Sequence, residues 1–381
     1  MDWKRAGELR ERVGDKRFAA EMINRINDPK FDTKEFSLKG LYEALGRPNL
    51  GKEKEISNRI LKEGDFEIQE SVDSTMFPKI TGSLINRVIQ EGYNKAQGMT
   101  DALVTVIPSS VKDETIVGFT DDHELMEVPE GIEYTRGAIG EKYHKIRNRK
   151  WGRIVPLTEE AIKFDQTGQM MMRAAQVGES ASIRKDKEIF DKVLGITNSG
   201  DYAAWRPAGT AATLYSSTST DPYTTATLDN QIVDVLADET DLDAAYTAGA
   251  AFTDEQGEVI MFDPKILLVG APLRGTANKI INSQSTLIAT YNQGVTNPWH
   301  NEVQVISSSY VNSLQSSLYW YLGDFKKQFV FTEVFPLQTF QAKPGNEQEF
   351  NSDVIYQVKA RWMGGCGAIT NRYVIQSVGS G

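Results

Sequence analysis

Apolar residues recur at helical spacing through the first hundred positions and give way to alternation after them. The chain therefore reads as helices first and strands later. Between about 3 and 27, Leu9, Val13, Phe18, Met22, Ile23 and Ile26 form a thin apolar stripe, and a second helical pattern spans about 36–46. Asp28–Pro29 and Arg47–Pro48–Asn49 interrupt these two patterns. So little apolar surface predicts an N-terminal arm that needs a partner to be ordered. A further helix is predicted over Thr81–Gly98, with Leu84, Ile85, Val88 and Ile89 on one side.

From Asp101 the reading changes to strands. Leu103–Ile107 is bounded by Pro108–Ser109–Ser110, and Ile116–Phe119 follows. Asp121 to Arg153 is a long polar excursion with a turn signal at Pro129–Glu130–Gly131, which predicts an extended two-stranded ribbon. A ribbon this polar cannot build its own core and must lie on something, most simply another subunit. Trp151–Pro156 is read as the end of the ribbon. Thr158 is read as the N-cap of a helix opening at Leu157–Ile162, with Glu159–Glu160 in its first turn. After Asp165–Gln166–Thr167 a second helix runs to about Leu194 and stops at Gly195. Its first half is rich in small residues, which allow a neighbour to approach closely. The helix is expected to be a spine packed along one side only.

Residues 198–225 read as a long surface loop, and Thr227–Ala237 as a short helix. Glu258–Met261 and Lys265–Gly270 bracket a turn at Asp263–Pro264, and Ile266–Val269 is a buried-type strand. Leu273–Ile281 is the helix after it; Val303–Ile306 and Leu318–Leu322 are further strands. Together they predict a compact α/β block.

Composition narrows the function. Of 381 residues, 40% are hydrophobic and 25% charged, ordinary for a globular protein. No window approaches the ~20 apolar residues of a membrane helix, and no apolar run follows Met1–Arg5, so neither a membrane span nor a secretory signal is expected. One cysteine, Cys366, excludes an intrachain disulfide and fits synthesis in a reducing cytosol. His123, His144 and His300 are too far apart to suggest zinc. The net charge of −10 is concentrated: residues 201–300 hold four basic and twelve acidic residues, which argues against that segment gripping nucleic acid.

Candidate chemistry is sparse. Gly270–Ala271–Pro272–Leu273–Arg274–Gly275–Thr276 stands between a strand and a helix, as a phosphate loop would. It lacks the lysine that contacts the β/γ-phosphates, and Pro272 removes a backbone N–H. A tight strand–helix turn is the simpler reading. The pairs Glu159–Glu160, Asp121–Asp122 and Asp254–Glu255 fit solvated helix starts and turns better than general acid–base catalysis. Cys366, between glycines and far from histidine, reads as a buried inert thiol. No cofactor is implied. The most basic stretch holds Lys142, His144, Lys145, Arg147, Arg149, Lys150 and Arg153. Contact with a neighbouring subunit is favoured for it over a solvated face or DNA contact, because too few aromatics interleave for single-strand stacking and no DNA-binding motif accompanies it. Trp3 and Trp205, in polar surroundings, are candidates to anchor in partner pockets.

The last third carries a resemblance. Leu322–Gly323–Asp324–Phe325 is followed by the run Gln328–Phe335, a Gly/Asn/Glu-rich bend and Phe350–Ile355. Alternation continues through Ala360–Arg361 to Gly364–Gly365–Cys366–Gly367 and Ala368–Ile369. This order resembles the C-terminal region of tailed-phage major capsid proteins, a family whose fold is shared with encapsulin shells and the herpesvirus capsid floor. The resemblance covers about 100–381 and is strongest in Trp151–Gly195 and Tyr319–Val374. It implies an α+β phage major capsid fold with N-terminal arm, extended β-ribbon loop, peripheral domain with long spine helix, and α/β axial domain. The expected divisions are an arm at 1–100, a strand and extended loop at 101–157, and the spine at 158–199. The axial domain follows at 200–322, and strands at 323–381 close both domains.

The implied function is assembly of identical subunits into hexamers and pentamers of an icosahedral shell. Such a shell encloses dsDNA without sequence-specific binding, alongside portal, scaffold or decoration proteins and with no membrane. The implied location is the virion, after synthesis in the bacterial cytoplasm. Some family members crosslink a loop lysine to an asparagine before the phenylalanine that opens the last strand pair. Here that place, before Phe350, holds Glu349, so no crosslink is carried over. Residues 1–65 lack the sustained heptads of a removable coiled-coil scaffold, so the arm is expected to be retained. An encapsulin-type nanocompartment, a tail or decoration protein, and an enzyme using the 266–282 turn are the alternatives.

Overall fold

A computed structural model describes residues 13, 15–28, 31, 41, 66–96, 98–120, 130, 140–158, 169–196, 205–210, 212–217, 219–220, 227–254, 257–288, 293–341 and 354–379. Trp3, Glu349, most of the arm before Phe66, the helix start expected at 159–162 and the tip of the excursion lie outside them. The chain divides into two compact units. One comprises Met1–Gln97, Lys150–Arg184 and Pro336–Trp362; the other comprises Gly98–Arg149, Lys185–Phe335 and Met363–Gly381.

The first unit is built on helices α1 (Asp15–Asn27) and α2 (Phe66–Ala96). Phe18, Met22 and Ile26 of α1 and Ile80, Leu84, Ile85 and Ile89 of α2 are buried. The break after α1 falls where Asp28–Pro29 predicts it, and Arg87 of α2 satisfies it. Its guanidinium donates to the carbonyls of Ile26, Asp28 and Phe31, the last two at 2.6 and 2.9 Å. These are orphan acceptors of a helix end and of the turn beyond it. Helix α2 starts fifteen residues before the predicted Thr81. Charged residues and Pro78 mask its periodicity there.

Strand β4 is Arg149–Thr158, and α3 is Gln169–Val193. Thr158 ends this strand, and the helix expected after it lies outside the described residues. At 25 residues α3 is about 37 Å long. The small residues of its first half act as expected, because α2 and α3 touch backbone to backbone. A Cβ on Gly178 would stand 2.1 Å from the Ile89 carbonyl oxygen, and one on Gly92 2.4 Å from that of Ala175. Ser182 Oγ then donates to the Ala96 carbonyl at 2.9 Å, closing the end of α2.

The second unit contains β1 (Thr105–Pro108), β2 (Asp113–Thr120) and β3 (Gly140–Arg147). Short strands β5 (Ser219–Thr220), β6 (Thr227–Leu228) and β7 (Gln231–Ile232) precede α4 (Glu239–Ala250). Next come β8 (Ile266–Gly270), α5 (Arg274–Asn282), β9 (Ser285–Ile288), β10 (Gln293–Thr296) and β11 (Gln304–Ser308). Then follow α6 (Ser309–Leu314), β12 (Trp320–Gly323), α7 (Phe325–Gln328) and β13 (Phe329–Gln341). β14 (Val354–Ala368) and β15 (Val374–Ser377) complete the chain. β1 pairs in parallel with the start of β13, from Thr105↔Val330 to Pro108↔Glu333.

The core of the second unit is a five-stranded sheet of order β11-β8-β12-β15-β7. β8 runs parallel to β11 and antiparallel to β12, β12 is antiparallel to β15, and β15 is parallel to β7. All five residues of β8 are buried, as its unbroken apolar run requires of a strand covered on both faces. Leu267, Val269, Trp320, Leu322 and Ile375 pack with Leu242, Ala277, Ile280 and Trp299 on one side. Leu268 and Tyr321 are fully buried too. The end of α3 meets Tyr321 and Tyr215. Tyr215 Oη donates to the Val193 carbonyl at 2.8 Å, and Phe190 stacks on Tyr310 at 5.3 Å.

Two expectations are corrected in this unit. Thr227–Ala237 is not a helix but an extended segment carrying β6 and β7. The side chain of Asn230 holds it, donating to the carbonyls of Leu214 and Asn371 at 2.8 and 2.9 Å. The helix begins instead at Glu239, where Asp238 and Asp241 form a reciprocal cap; part of the acidic cluster is thus helix-start chemistry. The spine is also not packed on one side throughout. From Glu188 to Leu194 six of seven residues are buried, including Glu188 and Lys192 themselves.

Candidate assembly surface at the ribbon root

The ribbon is β2 paired antiparallel with β3, from Asp113↔Arg147 to Thr120↔Gly140. It starts earlier than predicted: its first arm is Asp113–Thr120, ahead of the polar excursion. Lys142, Lys145 and Arg147 lie on β3, but Arg149, Lys150 and Arg153 lie on β4, in a different sheet. The basic stretch is therefore two surfaces. Lys150 and Arg153 are exposed. Arg153 lines a groove of about 500 Å³ with Ile154, Val155, Arg173 and Ile183, where Ile154 and Ile183 are exposed.

Two sets of contacts hold the root of the ribbon within its own unit. Asn148, 2% exposed, donates to Ser109 Oγ at 3.0 Å and to the Val111 carbonyl at 2.8 Å. Its side-chain oxygen accepts from Thr332 of β13 at 2.6 Å. On the outer edge of β3, residues 205–210 add a short extra strand. The Lys145 and Ala208 amides donate to the Arg206 and Tyr143 carbonyls at 3.3 and 2.9 Å. Beyond the root, the ribbon keeps an apolar residue in water: Val117 is 55% exposed.

Trp205 needs correction as a residue for a partner's pocket. It is 7% exposed, donates from Nε1 to the Ala368 carbonyl at 3.1 Å and stacks on His144 at 6.1 Å. Its polar sequence neighbours hid a pocket made by β3 and β14. The glycine cluster has the same origin. A Cβ on Gly365 would stand 2.5 Å from the Arg147 carbonyl oxygen, and one on Gly367 2.4 Å from the Ile146 side chain. β14 can pass this close only without side chains there.

Beneath the root, Cys366 and Lys192 line one cavity. Burial pushes the Cys366 thiol up to about 12, so it is a poor nucleophile at neutral pH. Burial likewise lowers the Lys192 ammonium to about 8, against the opposing effects of Cys366 and Glu188. Glu188 in turn faces Arg149 at 3.9 Å. Sequence reasoning missed this buried charged group. The i, i+4 spacing of Glu188 and Lys192 was a visible signal, but it reads equally as an exposed helix pair.

The phosphate-loop reading of 270–276 meets a specific obstacle. The Ala271 amide donates to Asn312 Oδ1 at 2.8 Å, and Pro272 has no amide hydrogen. The turn's leading donor is already used within the fold. Among the described residues no cluster of His, Cys, Asp or Glu could hold a metal, and no helix is long and apolar enough to cross a membrane.

The profile of the phage capsid protein family matches residues 144–375, from within β3 into the first half of β15. The chain belongs to that family; it is a phage major capsid protein, a structural shell protein with an α+β fold. A comparison with curated protein sequences gave no match. Among solved structures, a chain of Mycobacterium phage Ogopogo is similar at 14% identity and TM-score 0.45, over 74% of this chain and 92% of that one. The capsid of cyanophage P-SCSP1u is similar at 12% identity and TM-score 0.47, over 74% and 88%. The capsid of Myoviridae phage XM1 is similar at 12% identity and TM-score 0.45, over 74% and 92%.

Proposed function

We propose that copies of this chain assemble into hexamers and pentamers of an icosahedral shell enclosing the dsDNA of a tailed phage, without reading its sequence. The ribbon carries this reading. It is fixed at its root by Asn148 and by residues 205–210, yet it leaves Val117 in water. A two-stranded ribbon is marginal alone and is stabilised when a second surface covers it. Lys142, Lys145 and Arg147 on the ribbon, and Lys150 and Arg153 on β4, supply cations for contacts between copies of a chain whose net charge is −10. Each contact is weak, but closed symmetry repeats it around rings.

In this reading the 158–199 spine and the closing strands make the peripheral domain, and 200–322 the axial one. Val233, Val259 and Met261, 66%, 72% and 84% exposed, offer apolar surface for contacts between axial domains. Portal, scaffold or decoration proteins join the shell, which is made in the bacterial cytoplasm and ends in the virion.

The test is expression of the chain alone, with light scattering after size exclusion and negative-stain electron microscopy. Closed shells or hexamers and pentamers are expected, and co-expression with a scaffold is the second arm. A monomer under both conditions overturns the proposal.

A further inference from the structure

The groove between β4 and α3 lies wholly within the first unit and measures about 500 Å³. Arg153, Ile154, Val155 and Pro156 form its β4 side. Arg173, Gln176, Ser180 and Ile183 recur at helical spacing along α3, so they form one stripe of the opposite side, and all four are exposed. Ile154 and Ile183 are 55% and 47% exposed. The charged lining is two exposed guanidiniums, Arg153 and Arg173, and one half-buried carboxylate, Glu179. Exposed apolar surface rimmed by polar and cationic groups marks a place where another protein surface docks.

The chain itself carries a segment of matching composition. Residues 121–139 join the paired ends of the ribbon, Thr120 and Gly140. Within 121–135 stand Asp121, Asp122, Glu124, Glu127, Glu130 and Glu133, with no lysine or arginine. Leu125, Met126, Val128 and Ile132 are interspersed among them. Glu130 is exposed. So dense a run of like charge repels itself and gains when cations meet it. It also repels a nucleic-acid backbone, so the partner it fits is a protein surface. Its apolar residues need cover that a two-stranded ribbon does not give itself.

We propose that residues 121–135 of one copy dock in the β4–α3 groove of a second copy. Arg153 and Arg173 meet carboxylates of the segment, and Ile154 and Ile183 meet its apolar residues. The inference rests on the assembly proposed above and names the surface that receives the ribbon. Segment and groove are different surfaces, so the contact is head-to-tail: each copy gives its ribbon to one neighbour and receives one from another. A contact of this kind closes into rings or continues through a lattice.

The experiment reverses charge on each side of the contact in the full chain. It reads assembly by light scattering after size exclusion and by electron microscopy, under the conditions in which the unaltered chain assembles. The groove variant is Arg153→Glu/Arg173→Glu, which changes exposed side chains only. The segment variant is Glu124→Lys/Glu127→Lys. Each alone is expected to lower the yield of assembled particles about tenfold or more, with Tm unchanged. Where a reversal lowers Tm, the neutral pair Arg153→Gln/Arg173→Gln or Glu124→Gln/Glu127→Gln replaces it, with a loss in the same direction expected. The chain with all four reversals brings a basic segment to an acidic groove and is expected to recover assembly. Mixing the two variants is expected to recover it as well, because each copy's segment then matches the groove of the other. Undiminished assembly of either variant alone, or no recovery with all four reversals, overturns this contact and leaves the shell reading standing. Recovery with all four reversals but not in the mixture places the segment in its own chain's groove and overturns the second copy as its partner. An unaltered chain that stays monomeric with and without scaffold overturns the shell reading and this contact together.

Discussion

The five-stranded sheet and the ribbon belong to the same unit and hold together by opposite means. Every residue of β8 is buried, with sheet neighbours on both edges. The ribbon is β2 paired with β3, with only residues 205–210 along its outer edge near the root, and leaves Val117 55% exposed. The sheet is stabilised by its own burial of apolar surface, while the ribbon is held by polar contacts at one end. In the proposed assembly the sheet is the body that folds first, and the ribbon takes its remaining stabilisation from a second copy of the chain.

The largest test of this contrast is Leu267→Ala. Leu267 is fully buried in the sheet core, so its loss is expected to cost about 2–5 kcal/mol of unfolding free energy in chemical denaturation. Next is Asn148→Ala at the ribbon root. It leaves the Thr332 hydroxyl and the Val111 carbonyl without this partner and is expected to cost about 1–3 kcal/mol. Hydrogen exchange should show β2 and β3 losing protection while β8 keeps it. Equal losses in both would mean that the ribbon and the sheet unfold as one.

A pH test sharpens the same contrast. Lys192 has its folded pKa lowered from 10.5 to about 8, so above pH 8 the unfolded chain holds more of this proton and stability rises with pH. Cys366, raised from 9.0 to about 12, acts in the opposite sense from pH 9 upward. Between pH 8 and 9, Lys192 is expected to contribute a gain of about 1 kcal/mol. Lys192→Met should lack it; a slope unchanged in the variant would remove Lys192 as its source. The smallest effect on stability is expected from Val117→Ser, within about 0.5 kcal/mol for an exposed site. Its effect should fall instead on the yield of shells seen by electron microscopy. A destabilised subunit with normal shells would reverse the assignment of Val117 to assembly.

Much of this was readable from local pattern. The stop of the spine at Gly195, where φ is +66°, follows from the end of an apolar stripe at a glycine. The run Ile266–Val269 announces a strand covered on both faces. The close approach of α2 and α3 is foreshadowed by the small residues around Gly178. Thr227–Ala237 misled, because four apolar residues at helical spacing also fit an extended segment. The side-chain bonds of Asn230, to partners at Leu214 and Asn371, decide the matter.

The sequence by itself determined the family, the break at Asp28–Pro29, the stop of the spine at Gly195 and the buried strand at Ile266–Val269. These depend on periodicity, glycine, proline and apolar runs, which act between residues close in the chain. Only the tertiary structure decided that Trp205 turns inward, that Lys150 and Arg153 leave the ribbon for another sheet, and that Lys192 is buried beside Cys366. Each of those outcomes depends on segments far apart in the chain: residues 205–210 lie along β3, and β14 passes over residues 146–148 on glycines. Burial and the pairing of charges are set by such meetings, and no local pattern encodes them.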